Sequence, residues 1–338
     1  MESVNLKKLA KELNLATSTV SRALRDSHEI SKKTKDRVKA LARELGFQPN
    51  PHASSLRKSK SSTIAVIIPE IENNFFSQVM SGVEAIAGQK RYHVLIYLTH
   101  EDQRKEKAYL QSLSNGRVDG LMISISNTTT DYEHIIACQD AGIPMVLFDR
   151  ICSAVDVPTI TTDDSAISFM ATEHLIKEGC KKIAFLSMSS HLSITSGRKA
   201  GYLKAVGKYG AGKEILVECS QNDAQNREII RKMITENSPD AIFAAIEKFA
   251  INTYQVCEEM GIRIPERIKL VSFSNLAAAA FFNPPLSTIV QPAYDIGKRS
   301  AEILFKIIEK KALFPTEKKI VLPSKLIERA SSIQRKPD

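Results

Sequence analysis

Between residues 64 and 273 the chain repeats one pattern: a short apolar run, then a stretch with helical periodicity. The runs are IAVII (Ile64 to Ile68), VLIYL (Val94 to Leu98), GLMISI (Gly120 to Ile125) and PMVLF (Pro144 to Phe148), followed by KIAFL (Lys182 to Leu186), ILV (Ile215 to Val217), AIFAAI (Ala241 to Ile246) and IKLVSF (Ile268 to Phe273). Apolar runs this short suit strands covered on both faces, and parallel neighbours need a crossover long enough to be a helix. Helix faces such as Val79, Val83 and Ile86 lie between the runs. Eight strands in two groups of four predict an α/β body of two doubly wound lobes. A late helix carrying Ile296, Ile303, Leu304, Ile307 and Ile308 adds one more layer element.

The length, 338 residues, allows two or three domains, and 43% apolar with 25% charged residues excludes a disordered chain. No run of about 18 apolar residues exists to span a membrane. The opening MESVNLKKLAKEL lacks the apolar stretch of a signal peptide. Five scattered cysteines (Cys138, Cys152, Cys180, Cys219, Cys257) form no CxxC pair. That argues against a disulfide framework or a zinc site, and a cytoplasmic location is expected.

Charge is unevenly placed. Residues 1–60 hold fourteen Lys and Arg against six Asp and Glu, out of a net +9 for the whole chain. A basic module on a nearly neutral body is the footprint of a nucleic-acid binder, although a solvated lysine-rich surface has the same composition. Within this module Leu6, Leu9, Ala10 and Leu13 form one helix face, and Val20, Ala23 and Leu24 form a second. Val38, Leu41, Ala42 and Leu45 form a third, with Ser31 as its N-cap and Gly46 as its stop. The plan fits a helix-turn-helix with a bracing helix. Outward on the second helix lie Thr17, Ser18, Ser21 and Arg22, with Thr19 beside them. Small hydroxyls suit phosphate contact, and arginine suits bidentate reading of guanine.

The run NLKKLAKELNLATSTVSRALRD, continued by ELGFQPNPHASSLRKSKSSTIAVIIPEIENNFF, resembles the lactose-repressor/galactose-repressor family of bacterial transcription regulators, and the resemblance covers essentially the whole chain. One departure is Ala16, where the family usually has a capping Ser; Thr17 is the candidate cap one position later. The resemblance implies three parts: a DNA-binding domain (1–48), a hinge (49–60) and an effector-binding, dimerising body (61–338). Two periplasmic-binding-protein-like lobes make up the body, roughly 61–160 with 292–318 and 161–291 with 319–338. It implies further that the hinge becomes helical on operator DNA, with Ala53 and Leu56 in the minor groove. Two prolines just upstream and so short a segment cannot hold a helix alone, while an apolar wedge can kink DNA.

Enzyme readings are weaker. Gly207 to Lys213 spells the first seven positions of a P-loop, but Glu214 replaces the metal-binding hydroxyl and the segment follows a helix, so a helix-to-strand turn is expected. No GxSxG, HExxH or GxGxxG after the first strand occurs. Asp163 and Asp164 are adjacent and point apart, and His174 reads as structural. Neither catalysis nor a cofactor or metal is expected.

For the effector, the resemblance carries over Asn74, Phe75 and Phe76 after the first strand, Asp149 in Phe-Asp-Arg, and Arg198 in Arg-x-x-Gly-Tyr. Core packing is the alternative for the phenylalanines, and capping or ion pairing for Arg198. Where the family usually shows Asn-Asp this chain has Glu247-Lys248, and Ser274 stands where it usually shows Asp. With Arg198 present, gaining Lys248 and losing a carboxylate favours an acidic or phosphorylated sugar over a neutral one, unless Glu247 and Lys248 pair or the cleft takes no metabolite. The expected molecule is a homodimeric repressor on a roughly palindromic operator, controlled by a carbohydrate-like effector. A sugar-binding module without DNA function and an α/β enzyme are the rivals.

Overall fold

The computed structural model describes residues 5–24, 26–47 and 60–333. The chain divides into two compact units, with the break between Ser61 and Ser62.

The first unit holds α1 (Leu6–Glu12), α2 (Thr17–Leu24) and α3 (Lys32–Glu44). Leu9, Ala10, Val20, Ala23, Val38 and Ala42 form its core, each large aliphatic side chain contributing about 1.5–3 kcal/mol on burial. Asn5 caps α1 by accepting from the Lys8 amide at 3.0 Å, and Ser31 caps α3 from Thr34 at 3.3 Å. Thr17 is not a cap. It is the first helical residue of α2, and the Ala16 carbonyl already accepts from Val20 at 3.1 Å. Ala16 thus holds the cap position with no side chain able to accept a bond. At Gly46, φ turns to +63° and α3 stops, with the Phe47 amide returning to Ala42 O at 2.8 Å.

The second unit is built on two six-stranded sheets. In the first lie β1 (Thr63–Ile68), β2 (His93–Leu98), β3 (Gly120–Ile123), β4 (Met145–Phe148), β5 (Thr159–Thr162) and β11 (Lys319–Leu322), ordered β11-β5-β4-β3-β1-β2. The second sheet has β6 (Ile183–Ser187), β7 (Ile215–Glu218), β8 (Ala241–Ala244), β9 (Lys269–Phe273), β10 (Ser287–Val290) and β12 (Lys325–Ile327), ordered β12-β10-β9-β8-β6-β7. The two orders are the same permutation, so one doubly wound topology occurs twice. All pairings are parallel except β10 with β12. Helices cover both faces of each sheet, with one apolar layer per face.

The first sheet is flanked by α4 (Asn74–Gln89), α5 (Gln103–Leu113), α6 (Glu133–Asp140) and α11 (Ala293–Ile308). Around the second lie α7 (Asp164–Lys177), α8 (Ser193–Tyr209), α9 (Asp223–Asn237) and α10 (Glu247–Glu259). Helices α4 and α11 touch backbone to backbone. A Cβ on Gly82 would sit 2.1 Å from Tyr294 O, and one on Gly297 2.0 Å from Val79 O, so both positions require glycine.

The chain passes between the sheets three times: at Asp163, at Gln291–Pro292 and at Pro323–Ser324. These three crossings lie together. Gln291 Nε2 donates to Thr162 Oγ1 at 3.2 Å, Ser324 N to Asp163 Oδ1 at 2.8 Å and Asp163 N to Leu322 O at 3.3 Å. The lobe assignment drawn from the sequence therefore shifts by two residues at the first crossing, since β5 runs to Thr162, and further at the last. Residues 319–322 belong to the first sheet, because β11 pairs in parallel with β5 from Lys319–Thr159 to Leu322–Thr162. Only from β12 does the tail join the second lobe.

Candidate functional site

In the first unit, α2 carries Val20 and Ala23 into the core, which turns Thr17, Ser18, Ser21 and Arg22 to the other side. Thr17, Ser18 and Arg22 are exposed and Ser21 is half-buried on the same face. Thr19 is half-buried at the margin of the core-facing side, so it is placed apart from the other four. Arg22 Nη1 bonds Glu29 Oε2 at 2.7 Å. Ala53 and Leu56 lie outside the described residues.

In the second unit, strands β1, β6, β8 and β9 end at a cleft between the two sheets, as expected beside the switch points of doubly wound sheets. It is narrow and partly open to solvent. Asn73, Phe75, Phe76, Asp149 and Arg150 come from the first lobe, and Ile194, Arg198, Ile246, Glu247, Phe273 and Ser274 from the second; Asn275 and Gln291 close the side.

Asn73 caps α4 by accepting from the Phe75 amide at 2.9 Å. This fixes the first helical turn and sets the Phe75 and Phe76 rings edge to face, centroids 5.2 Å apart. Both rings are buried and both line the cleft, so packing in the core and lining the cleft do not exclude each other here. Asp149 follows β4 with φ at +57°, a left-handed conformation that Asp tolerates and that marks a strained turn. Burial pushes its carboxyl up to about 6, against the pull of the Arg150 and Arg198 charges. Arg150 donates through Nη1 to both oxygens of Glu101 at 2.9 and 2.8 Å. Its Nε is 4.0 Å from Asp149 Oδ2 and has no hydrogen-bond partner among the described residues.

Arg198 both lines the cleft and is ion-paired. Its Nε donates to Asp164 Oδ1 at 2.8 Å, its Nη1 to Ala245 O at 2.6 Å, and its guanidinium carbon lies 3.7 Å from the Phe273 ring centroid. Asp164 is thereby turned toward Arg198, while its neighbour Asp163 accepts from Ser324 N, so the adjacent carboxylates do point apart. Ser274 Oγ donates to Glu247 Oε2 and also accepts from the Leu276 amide at 3.1 Å.

Two of the expected effector residues fall outside the cleft. Lys248 turns away from it, bonding Gln221 O at 2.5 Å and Asp223 Oδ1 at 3.3 Å. The reason is helical: one residue after Glu247, it points about 100° around α10. It therefore adds no charge to the cleft, and it does not pair with Glu247. Asn74 also does not line it; Asn73 does. Asn73, Arg150, Asn275 and Gln291 line the cleft without having been expected there. Arg150 carries a signal in the sequence, since it is the arginine of the Phe-Asp-Arg run, whereas Gln291 is brought in only by the crossing at Pro292.

Of the Gly207 to Lys213 segment, the first three residues end α8, and from Gly210 to Lys213 the chain turns toward β7, a helix-to-strand connection as expected. His174 sits in α7 with Nε2 2.8 Å from Ser332 Oγ, a structural role. Among the described residues no cluster of metal-ligating side chains occurs, and no helix is long and apolar enough to cross a membrane.

Comparison with known proteins bears on both units. Residues 5–50 match the model of bacterial regulatory proteins of the lacI family, and residues 61–329 match that of periplasmic binding proteins and the sugar-binding domain of the LacI family. Among curated relatives, the ribose operon repressor of Halalkalibacterium halodurans is 30% identical over 97% of this chain and 96% of its own. Catabolite control protein A of Priestia megaterium is 29% identical, covering 92% and 94%. The lac repressor dimer bound to operator and an anti-inducer superposes with a TM-score of 0.86 at 23% identity, covering 98% of this chain and 100% of that one. A LacI-family regulator from Enterococcus faecium with bound ribose gives 0.70 at 26% identity, covering 81% and 100%.

Proposed function

This chain belongs to the LacI family of bacterial regulatory proteins, and on that footing we propose how this member selects its effector and couples it to DNA. It is a DNA-binding transcription regulator with a sugar-binding body, and it works as a dimer on operator DNA. The effector is a small neutral sugar. One observation carries this: each arginine of the cleft already faces a carboxylate of its own chain, Arg198 with Asp164 and Arg150 with Glu101. An anionic ligand would have to compete with those pairs and would lie beside Asp149 and Glu247, whereas a neutral polyol meets donors and acceptors of both kinds. Ring faces of Phe75 and Phe76 supply the apolar contact that a sugar's C–H face requires. The expectation of an anion rests on Arg198, Lys248 and Ser274, but Lys248 is engaged elsewhere, Arg198 is paired with Asp164, and Glu247 keeps a carboxylate beside Ser274. The ribose ligand of the Enterococcus relative supports a monosaccharide of pentose size.

Coupling follows from the three crossings. A ligand touching Asp149 and Arg150 on one side and Arg198 on the other favours one lobe arrangement, and the arrangement sets the spacing of the two hinges in the dimer. Thr17, Ser18, Ser21 and Arg22 read the major groove, and Leu56 wedges the minor groove. Calorimetry of the full chain with D-ribose and D-ribose 5-phosphate tests the charge reading. Tighter binding of the neutral sugar is expected; tighter binding of the phosphate would overturn it.

A further inference from the structure

Arg22 and Glu29 form an ion pair that neither folding nor groove reading obviously requires. Glu29 sits in the turn from α2 to α3, and the turn is built to hold it there. The Ser27 amide donates back to Arg22 O at 3.1 Å, the Ile30 amide to Ser27 O at 3.2 Å, and the Glu29 amide approaches Ser27 Oγ at 3.4 Å. Ile30 anchors the far end against the unit's core. Asp26, the other carboxylate of the turn, is engaged by Lys35 and Lys39, both at 3.3 Å, and so does not compete for Arg22. The Glu29 carboxylate therefore meets Arg22 Nη1 at 2.7 Å, with both side chains about half exposed. An ion pair this exposed adds little to folding. Its cost in function is evident, because it sets a carboxylate beside an arginine on a face that must approach a polyanion.

We infer that Glu29 is a positioning residue for Arg22 and a brake on non-specific DNA binding. Holding Nη1 fixes the guanidinium plane and leaves Nε and Nη2 as a rigid donor edge, the geometry for the two acceptors of a guanine. A free arginine could turn to any nearby phosphate, which gives affinity without sequence information. The carboxylate repels phosphate wherever the face lands, and that penalty is offset only where a base pair takes the donor edge. This inference rests on the DNA-binding reading and adds a specificity determinant to it.

The test uses the full chain and an operator selected by it from a random-sequence duplex library. Fluorescence anisotropy then measures wild type, Glu29→Gln, Arg22→Ala and the double variant on the selected duplex, on a random duplex and on the duplex altered at the guanine pair. Glu29→Gln should raise affinity for random duplex about three- to tenfold, as removal of one repelled charge allows. It should raise affinity for the selected duplex less, so that the ratio of the two falls. In the Arg22→Ala background, Glu29→Gln should still raise random-duplex affinity but no longer change discrimination at the guanine pair. An equal effect on all duplexes, or the same loss of discrimination with and without Arg22, would overturn the inference. Thermal midpoints of the four proteins check folding, and a shift in midpoint with an unchanged ratio counts against it too. If no sequence is selected at all, the DNA-binding reading itself falls, an outcome distinct from a selected site with an unaltered ratio.

Discussion

Replacing Asp149 with Asn separates the cost of the cleft from its use. Asp149 is buried, and its carboxyl is pushed from the ordinary 3.8 up to about 6 chiefly by loss of water, with Arg150 and Arg198 opposing the rise. A carboxyl raised in the folded state binds its proton more tightly there than in the unfolded chain. Its contribution to stability is therefore fully present below pH 3.8 and is lost as pH rises through about 6. At 1.36 kcal/mol per pH unit, the wild type carries a penalty of about 1 kcal/mol at pH 4.5 and about 3 kcal/mol at pH 8. Asn resembles the neutral form and avoids this penalty. Urea unfolding of both proteins from pH 4.5 to 8 should give a stability difference in favour of Asp149→Asn that grows by about 2 kcal/mol across that window and levels off above pH 7. Titrating groups that do not interact with Asp149 cancel in the difference. The same variant should bind D-ribose more weakly at pH 8, since a carboxylate accepts two hydroxyl protons where an amide oxygen accepts at one end only. A difference that is flat with pH, or a wild type more stable than the variant at pH 8, would refute the burial argument and with it the placement of Asp149 in the cleft wall.

Three further outcomes follow from the same geometry. Arg198→Met strands the buried Asp164 carboxylate and should destabilise the body by about 3–5 kcal/mol in urea unfolding, with a good part recovered by adding Asp164→Asn. Lys248→Ala removes a group that faces Gln221 and Asp223 on the surface, so sugar affinity by calorimetry should stay within about twofold of wild type, an effect under about 0.5 kcal/mol. Leu56→Ala should lower affinity for the selected operator at least tenfold by loss of the minor-groove wedge, while sugar binding is unchanged in the same calorimetric assay.

Much of this architecture is legible in the sequence because burial on both faces leaves a plain mark. The eight apolar runs all form strands, and every one lies inside its sheet or at the β2 and β7 edges. Four strands leave no such mark: β5 (TITT), β10 (STIV), β11 (KIVL) and β12 (KLI). Thr162 of β5 accepts at the crossings, Ser287 and Thr288 of β10 bond the segment from Arg329 to Ser332, and β11 and β12 are edge strands with alternating exposure, so none has the uniform apolarity of a central strand. For the same reason a lobe boundary at 319 cannot be read correctly from apolarity. Single chemical groups tied to a run, such as Asp149 after PMVLF and Phe75 and Phe76 after the first strand, are legible directly. Lys248 misleads because a two-residue family pattern is carried over as a pair, whereas neighbours on a helix point about 100° apart and only Glu247 lines the cleft. Gln291 has no local signal, since it reaches the cleft only at a chain crossing, where Asn275, next to Ser274, holds it.

Linkage between the cleft and the operator is open to a reciprocal pair of titrations. Full-chain protein is titrated onto the selected operator with and without saturating D-ribose, and D-ribose is titrated onto the protein with and without operator. Sugar should change operator affinity by a factor of about 5 to 150, and operator should change sugar affinity by the same factor, as reciprocity requires. Tight binding of both ligands with neither affinity altered by the other would contradict the linkage.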